Sequence, residues 1–219
     1  MPVVSPDLES QISADPIAIQ RLGKRDYDQV LTLQRKIHLD VTKEISGNTL
    51  LILEHPSVYT AGRRTLDSEK PTDGTPVIDV DRGGKITYHG RGQLIIYPLI
   101  DLKRYHLNIR SFVTLIEKSI INFLSHHGIK ASAKIEAPGV YIGNKKIASL
   151  GLRIKNHTSY HGLSMNIDMD LSPFEAIDPC GFKNLQMTQL KTFTNSISIE
   201  SAGLEIANNI KNQLLNLKS

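Results

Sequence analysis

The amino-acid sequence predicts an α/β protein of the α+β kind, a mixed sheet flanked by helices. Three observations carry this. Apolar residues recur at helical spacing in three well-separated stretches, 27–45, 108–127 and 198–217. Between them lie short apolar or alternating runs of strand length, at 49–54, 77–80, 93–102, 129–133, 139–142, 146–154 and 158–169. The two kinds of segment do not follow a strict strand–helix–strand rhythm, which argues against a doubly wound parallel sheet. At 219 residues, with no internal repeat, the chain is read as one domain spanning 1–219.

In chain order, residues 1 to about 20 carry prolines at 2, 6 and 16 and few apolar anchors, so a loosely ordered segment is expected. Asp26 is a candidate N-cap for a helix over 27–45, with Val30, Leu31, Ile37, Val41 and Ile45 on its apolar face, and Gly47-Asn48 ends it. A buried strand over 49–54 closes at His55-Pro56, and Val58 to Arg64 reads as a glycine- and arginine-bearing turn. A polar surface loop over 67–76 leads to a strand at 77–80. That strand delivers the chain into the segment Arg82-Gly-Gly-Lys-Ile-Thr-Tyr-His-Gly-Arg-Gly-Gln93, from which an apolar strand continues. Asn108 caps the second helix and Gly128 stops it; Gly143-Asn-Lys145 reads as a hairpin turn; Ser172-Pro173 begins a short helix by Ser N-cap; Ser198 and Ser201 are candidate caps for the last helix.

Composition narrows the function classes. The apolar and charged fractions, 40% and 22%, are those of an ordinary globular chain. No apolar run approaches the roughly 18 residues of a membrane span, and the first residues lack the basic and apolar regions of a signal peptide. A single cysteine excludes an internal disulfide and a multi-cysteine zinc site, and a cytoplasmic location is expected. The net charge of +4 suits an acidic partner, but the basic residues are scattered and match no nucleic-acid motif, so neither nucleic acid nor membrane is expected as a partner.

The chemistry must come from a few residues. Glycines at 83, 84, 90 and 92 let the 82–93 loop bring its backbone close to a ligand, and neither phosphate-loop pattern is present, so the loop reads as a substrate cradle. Cys180 sits in Asp178-Pro-Cys-Gly181, a turn rather than a core element; a reactive thiol needs a nearby cation, for which Lys146, His55, His89 and His161 are candidates. Lys145 belongs to the hairpin turn in solvent, whereas Lys146 opens the strand and either faces inward or stays a solvated hairpin lysine, a choice that periodicity alone does not decide. The histidines at 38, 106, 126, 127 and 157 read as surface residues, and no histidine spacing suits a metal.

The run from Arg82 to His89, followed by Gly92-Gln93 and Tyr97-Pro98, resembles the signature of octanoyl-acyl-carrier-protein:protein octanoyltransferases, also called lipoate-protein ligase B. Glu54 to Gly62, Pro138-Gly-Val-Tyr141, Lys146 to Gly151, His161 to Asn166 and Pro179-Cys-Gly181 fit the same pattern in order and spacing. The resemblance implies a fold similar to the catalytic domains of biotin protein ligase and lipoate-protein ligase A. It implies an octanoyl transfer without ATP or any cofactor. The donor would be octanoyl-acyl carrier protein; the acceptors would be lipoyl domains of 2-oxoacid dehydrogenase E2 subunits and the glycine-cleavage H protein. Cys180 would take the acyl group as a thioester, with Lys146 lowering its pKa and acting as acid and base. The acyl site would be lined by Arg82, Gly83, Gly84, Lys85, Ile86, Thr87, Tyr88, His89, Ser149, Leu150, Gly151, Gly162, Leu163 and Ser164, with His55 and His161 in support. Ser164 and Met165 depart from the family pattern, which bears on chain length rather than on the reaction. The rivals are an ATP-dependent lipoate-protein ligase of the same fold and a non-catalytic lipoyl-domain-binding module. A monomer is the simplest expectation.

Overall fold

A computed structural model describes residues 17–135, 137–178 and 185–217. The large sheet has seven strands: β1 (Ile17–Lys24), β2 (Asn48–Glu54), β6 (Gln93–Leu99), β10 (Thr158–Asn166), β9 (Lys145–Lys155), β8 (Gly139–Ile142) and β7 (Ser132–Ala133), in that spatial order. A smaller sheet orders β4 (Val77–Asp79), β3 (Val58–Ala61) and β5 (Thr87–His89). Both are mixed. β1 runs parallel to β2 and β3 parallel to β4, while the remaining pairs are antiparallel.

The period-2 alternation of the central strands explains why both faces of the large sheet are covered. Leu50 and Ile52 of β2 with Leu94 and Ile96 of β6 pack against α2 (Ile109–His126) and α3 (Ile199–Asn216). Leu51, Leu53, Ile95, Tyr97 and Leu99 point the other way and meet Val30 and Leu33 of α1 (Tyr27–Thr42). The second helix begins with a reciprocal cap: Asn108 Oδ1 accepts from the Ser111 amide and Ser111 Oγ accepts from the Asn108 amide, both at 2.9 Å. Ser198 caps α3 by accepting from the Ser201 amide at 3.1 Å. Among the described residues, no helix is long and apolar enough to cross a membrane.

Several sequence expectations are corrected. Residues 17–20 are not loosely ordered: they begin β1, whose Ile17 is fully buried, because parallel pairing with β2 supplies the partner that a short edge segment cannot reveal alone. The first helix ends at Thr42. Glu44 turns through φ 59° and leaves Ile45 exposed, so the last apolar position was an accident of spacing. Asp26 occupies the N-cap position without a side-chain hydrogen bond. Val58–Ala61 is a strand, and the glycine-rich loop contains β5; each is too short to show a period but is held by the other. The central strand ends at Leu99, where Asp101 caps a 3₁₀ turn over Leu102–Tyr105. Ser172 lies inside its 3₁₀ turn rather than capping it. His38 is buried, with Nε2 on the Lys155 carbonyl at 3.0 Å and its ring against Tyr160.

Candidate functional site

Three segments, with Tyr27 of α1 and Tyr97 of β6, converge on one small cavity. Its walls include Arg82, Gly84, Lys85, Thr87 and His89 from the glycine-rich loop, Ser149, Leu150 and Gly151 from β9, and His161, Gly162, Leu163 and Ser164 from β10. The register of the sheet sets this: Gly162 pairs with Gly151, Leu163 with Leu150 and Ser164 with Ser149. A Cβ on Gly151 would lie 2.9 Å from Arg82 Cδ, so glycine there lets the loop lie on the sheet, with the Gly83 amide donating to the Leu152 carbonyl at 3.1 Å. The cavity holds about 40 Å³, room for about three waters.

Three of the expected lining residues are not in its wall: Gly83, whose amide is given to Leu152, and Ile86 and Tyr88, which face elsewhere. Along β5 the side chains alternate, so Thr87 and His89 reach the cavity while Ile86 and Tyr88 pack with Tyr59, Phe174 and Ile177. Arg82 lines the cavity and also fixes the loop. Its guanidinium donates to the carbonyls of Gly83 and Lys85 at 3.0 and 2.8 Å, and to the carbonyl and hydroxyl of Thr60 at 2.5 and 2.9 Å. Lys85 is paired with Glu69.

A directional chain of hydrogen bonds runs on from Arg82. Thr60 Oγ1, having accepted from Arg82, sits 3.3 Å from His89 Nε2, and His89 Nδ1 is 2.8 Å from Gln93 Oε1. Gln93 Nε2 donates to Asn166 Oδ1 at 2.9 Å, and Asn166 Nδ2 donates to the Thr188 carbonyl at 2.9 Å. The backbone carbonyl at the far end fixes each amide in turn, so His89 carries its proton on Nδ1 and accepts from Thr60 on Nε2. His55 is equally saturated: Nδ1 meets the Arg25 carbonyl at 2.7 Å and Nε2 the Tyr97 hydroxyl at 2.9 Å. Burial lowers both imidazoles, His55 to about 4 and His89 to about 3, the latter helped by the neighbouring His55.

This has a consequence for stability. Both histidines stay neutral in the fold but titrate near 6.5 once unfolded. The unfolded chain therefore binds more protons below that value. Their contribution is complete above pH 6.5 and is lost as pH falls through the interval toward 4 and 3. The urea midpoint is expected to drop clearly between about pH 7.5 and about pH 5. A flat profile over that range would show that these rings are not held neutral.

His161 lines the cavity from a strand yet has φ 55°. Its amide donates to Gln34 Oε1 at 2.7 Å, Nε2 meets Asp81 Oδ1 at 3.0 Å, and Nδ1 lies 3.4 Å from the Tyr27 hydroxyl. Asp81 also accepts from the Tyr160 hydroxyl. The His161 hydrogen bond, with that of Tyr160, holds its carboxyl well below the usual carboxylate range despite opposing burial.

Lys145 is exposed, as its turn position predicts, and Lys146 is fully buried, the inward choice of the two that the sequence left open. Its Nζ donates to the Pro138 carbonyl at 2.9 Å and lies 5.6 Å from the centre of the Tyr141 ring. Glu117, whose carboxylate accepts from the Gly139 amide at 2.8 Å, is raised by burial, with Gly139 and Lys146 opposing. The backbone of Lys146 is bonded on both sides to the 186–188 segment: its amide donates to the Gln186 carbonyl and its carbonyl accepts from the Thr188 amide, each at 2.9 Å. Cys180, with Pro179 and Gly181, lies outside the described residues.

Sequence reasoning missed Tyr27, Tyr97, Thr60 and Asp81. Tyr27 and Tyr97 look like ordinary core aromatics, and Asp81 looks like a strand-end residue; only their meeting in space puts the two tyrosines in the cavity wall and Asp81 behind it, against His161. A different polar cluster lies between α2 and α3. There His126 Nδ1 and His127 Nε2 sit 2.8 and 3.0 Å from the two Glu205 oxygens, the one group among the described residues whose donor types and spacing suit a metal ion. Its members bond each other and none lines the cavity.

Comparison with known proteins fits this geometry. Residues 26–211 match the model of the lipoyl protein ligase A/B catalytic domain. The chain is 45% identical over 197 residues to an octanoyltransferase of Shewanella loihica, covering 90% of each. Among solved structures it resembles a bipartite lipoate protein ligase of Thermoplasma acidophilum, with a TM-score of 0.68 at 15% identity, covering 91% of this chain and 83% of that one. It also resembles the biotin protein ligase of Aquifex aeolicus, with a TM-score of 0.61 at 17% identity, covering 92% and 72%. At such identities the structural likeness speaks for the fold alone, and that fold is the mixed sheet flanked by helices expected from the sequence.

Proposed function

Since the chain belongs to the lipoyl protein ligase A/B catalytic-domain family, on its octanoyltransferase side, we propose that it moves an octanoyl group from a carrier-protein thioester to a lysine of a lipoyl domain, through a thioester on Cys180. The observation that supports the cysteine route is the fully buried Lys146, tied through its backbone to Gln186 and Thr188. Cys180 precedes Gln186 by six positions, a reach of at most about 20 Å of chain. That reach lets the chain bring the thiol to Lys146, and a lysine in contact with a thiol favours the thiolate, the form that attacks.

In this reading the Cys180 thiolate attacks the octanoyl carbonyl, and the carrier thiol leaves. Thiol and leaving thiol have similar pKa values, so the exchange needs no ATP. The acceptor amine then attacks the enzyme thioester, the C–S bond breaks, the amide forms, and Cys180 is regenerated. Gly84, Thr87, Leu150 and Leu163 line a cavity that would take the first carbons of the acyl chain, its present volume being too small for all eight. The Thermoplasma acidophilum ligase is described together with its E2 lipoyl domain, which supports a lipoyl domain as the acceptor here.

The test is an intact-mass measurement after incubation with octanoyl-acyl carrier protein in the absence of ATP. An octanoyl adduct is expected on the wild-type chain and not on Cys180→Ala. A chain that stays unmodified, and lipoylates only when ATP and free acid are supplied, is an ATP-dependent ligase instead.

A further inference from the structure

We propose that His126, His127 and Glu205 form a binding site for a divalent transition-metal ion of the zinc class, which ties the end of α2 to α3. Neither helix contributes a residue to the cavity wall, so the site is independent of the octanoyl-transfer reading.

His126 is the last residue of α2 and His127 its C-cap, and Gly128 ends the helix at φ 72°. Neighbours on a helix point about 100° apart, so an adjacent pair does not ordinarily converge on one partner. Here it does, because each ring presents a different nitrogen. His126 offers Nδ1, close to its backbone, and His127 offers the more distant Nε2, to the two oxygens of one carboxylate at 2.8 and 3.0 Å. The His127 ring is seated edge-on against Phe123, with centroids 4.9 Å apart. The third donor, Glu205, comes from 78 residues beyond His127, which is why histidine spacing alone does not show the site.

The far helix is held at the distance the site needs. Glu205, Asn209 and Gln213 follow one another at intervals of four and so share a face of α3. Asn209 Nδ2 donates to the Ser119 carbonyl at 3.3 Å, and Gln213 Nε2 donates to Ser119 Oγ at 2.6 Å. These two residues fasten that face to α2, and Glu205 closes the row beside the imidazoles. The side chains of His126, His127 and Glu205 are 76%, 29% and 31% exposed, so an ion reaches them from solvent.

The donor set selects the ion. Two imidazoles and a carboxylate suit zinc, nickel or copper, whereas magnesium and calcium prefer an all-oxygen shell. Zinc binds imidazole nitrogen and carboxylate oxygen at about 2.0–2.2 Å, so ligands at right angles around it lie about 2.9 Å apart. The two nitrogen–oxygen separations match that figure, and the three donors lie within 4.8 Å of one another. No covalent bond breaks on binding. Each imidazole turns the lone pair of the nitrogen facing Glu205 to the metal and carries its proton on the other nitrogen. Three protein ligands leave the remaining coordination to water.

The test uses the full chain, stripped with a chelator and then freed of it. Zn²⁺ alone is titrated calorimetrically into wild type, His126→Gln, Glu205→Gln and Cys180→Ala. One equivalent is expected to bind wild type and Cys180→Ala alike, and each of the other two variants should bind at least about 10-fold more weakly. Zn²⁺ should raise the wild-type unfolding midpoint, and Mg²⁺ at the same concentration should not. His126 is mostly exposed, so His126→Gln should match the wild-type midpoint without metal, which separates loss of a ligand from loss of folding. Co²⁺ should give a visible d–d spectrum that Zn²⁺ abolishes, with no thiolate charge-transfer band. Failure of wild type to bind, equal affinity in Glu205→Gln and His126→Gln, or a thiolate band that vanishes in Cys180→Ala overturns the assignment.

Discussion

Lys146→Ala is expected to slow octanoyl transfer by about 10²–10⁴-fold and to raise the pH at which Cys180 is alkylated. The lysine is fully buried, and its Nζ is fixed by the Pro138 carbonyl on one side and the Tyr141 ring on another. No solvent cation can substitute for it there. Truncation also empties a core position and leaves the Pro138 carbonyl without this donor, so some loss of stability accompanies the loss of rate. Lys146→Met separates the two effects. It restores most of the apolar volume without the charge, so its unfolding midpoint should lie above that of Lys146→Ala while its alkylation profile stays shifted. An alkylation profile identical to wild type in both variants removes Lys146 from thiol activation.

The second large effect is expected at Gly139, where β8 begins. Its φ of 143° lies where side chains are strained, and an added Cβ would come within 2.4 Å of Lys146 Cε and 2.6 Å of the Ala148 carbonyl. The carbonyl belongs to the paired strand and cannot retreat, so the lysine must move. Gly139→Ala should cost about 2–4 kcal/mol, from backbone strain plus overpacking. It should also change the pH profile of Cys180 alkylation in the direction of Lys146→Ala, because the displaced side chain loses its seat at Pro138. Gly143→Ala, in the neighbouring hairpin turn, is the control: nothing lies within 4 Å of its Cβ, so only the backbone term remains. Equal unfolding midpoints for the two variants would show that the close approach to Lys146 is not what makes position 139 glycine.

The elements read most easily from the sequence were those with long periods and clear ends. The second and third helices emerged with their caps at Asn108 and Ser198, because Asn and Ser side chains serve the first-turn amides whatever the helix later packs on. The hairpin at Gly143 followed from turn chemistry, whereas strand parity left Lys146 free to face inward or to stay in solvent, and its burial was decided by the packing of β9. β1, β3 and β5 were not legible in the same way. Each is short or lies at a sheet edge, and a strand of that kind is defined by its partner rather than by its own residues.

The candidate site divides along the same line. Sequence alone nominated the glycine-rich loop, the 149–151 and 162–164 segments, Lys146 and Cys180, since residue type and order suffice to carry a family pattern. Which side of the loop meets the cavity was decided by the pleat of β5, which turns Thr87 and His89 inward and sends Ile86 and Tyr88 into a separate core. That Arg82 fixes Thr60 and the loop, that His89 is locked as the Nδ1 tautomer, and that Asp81 addresses His161 depended on side chains brought together from distant positions. A hydrogen bond exists only once both partners have been placed, and covalent order does not record that distance or direction.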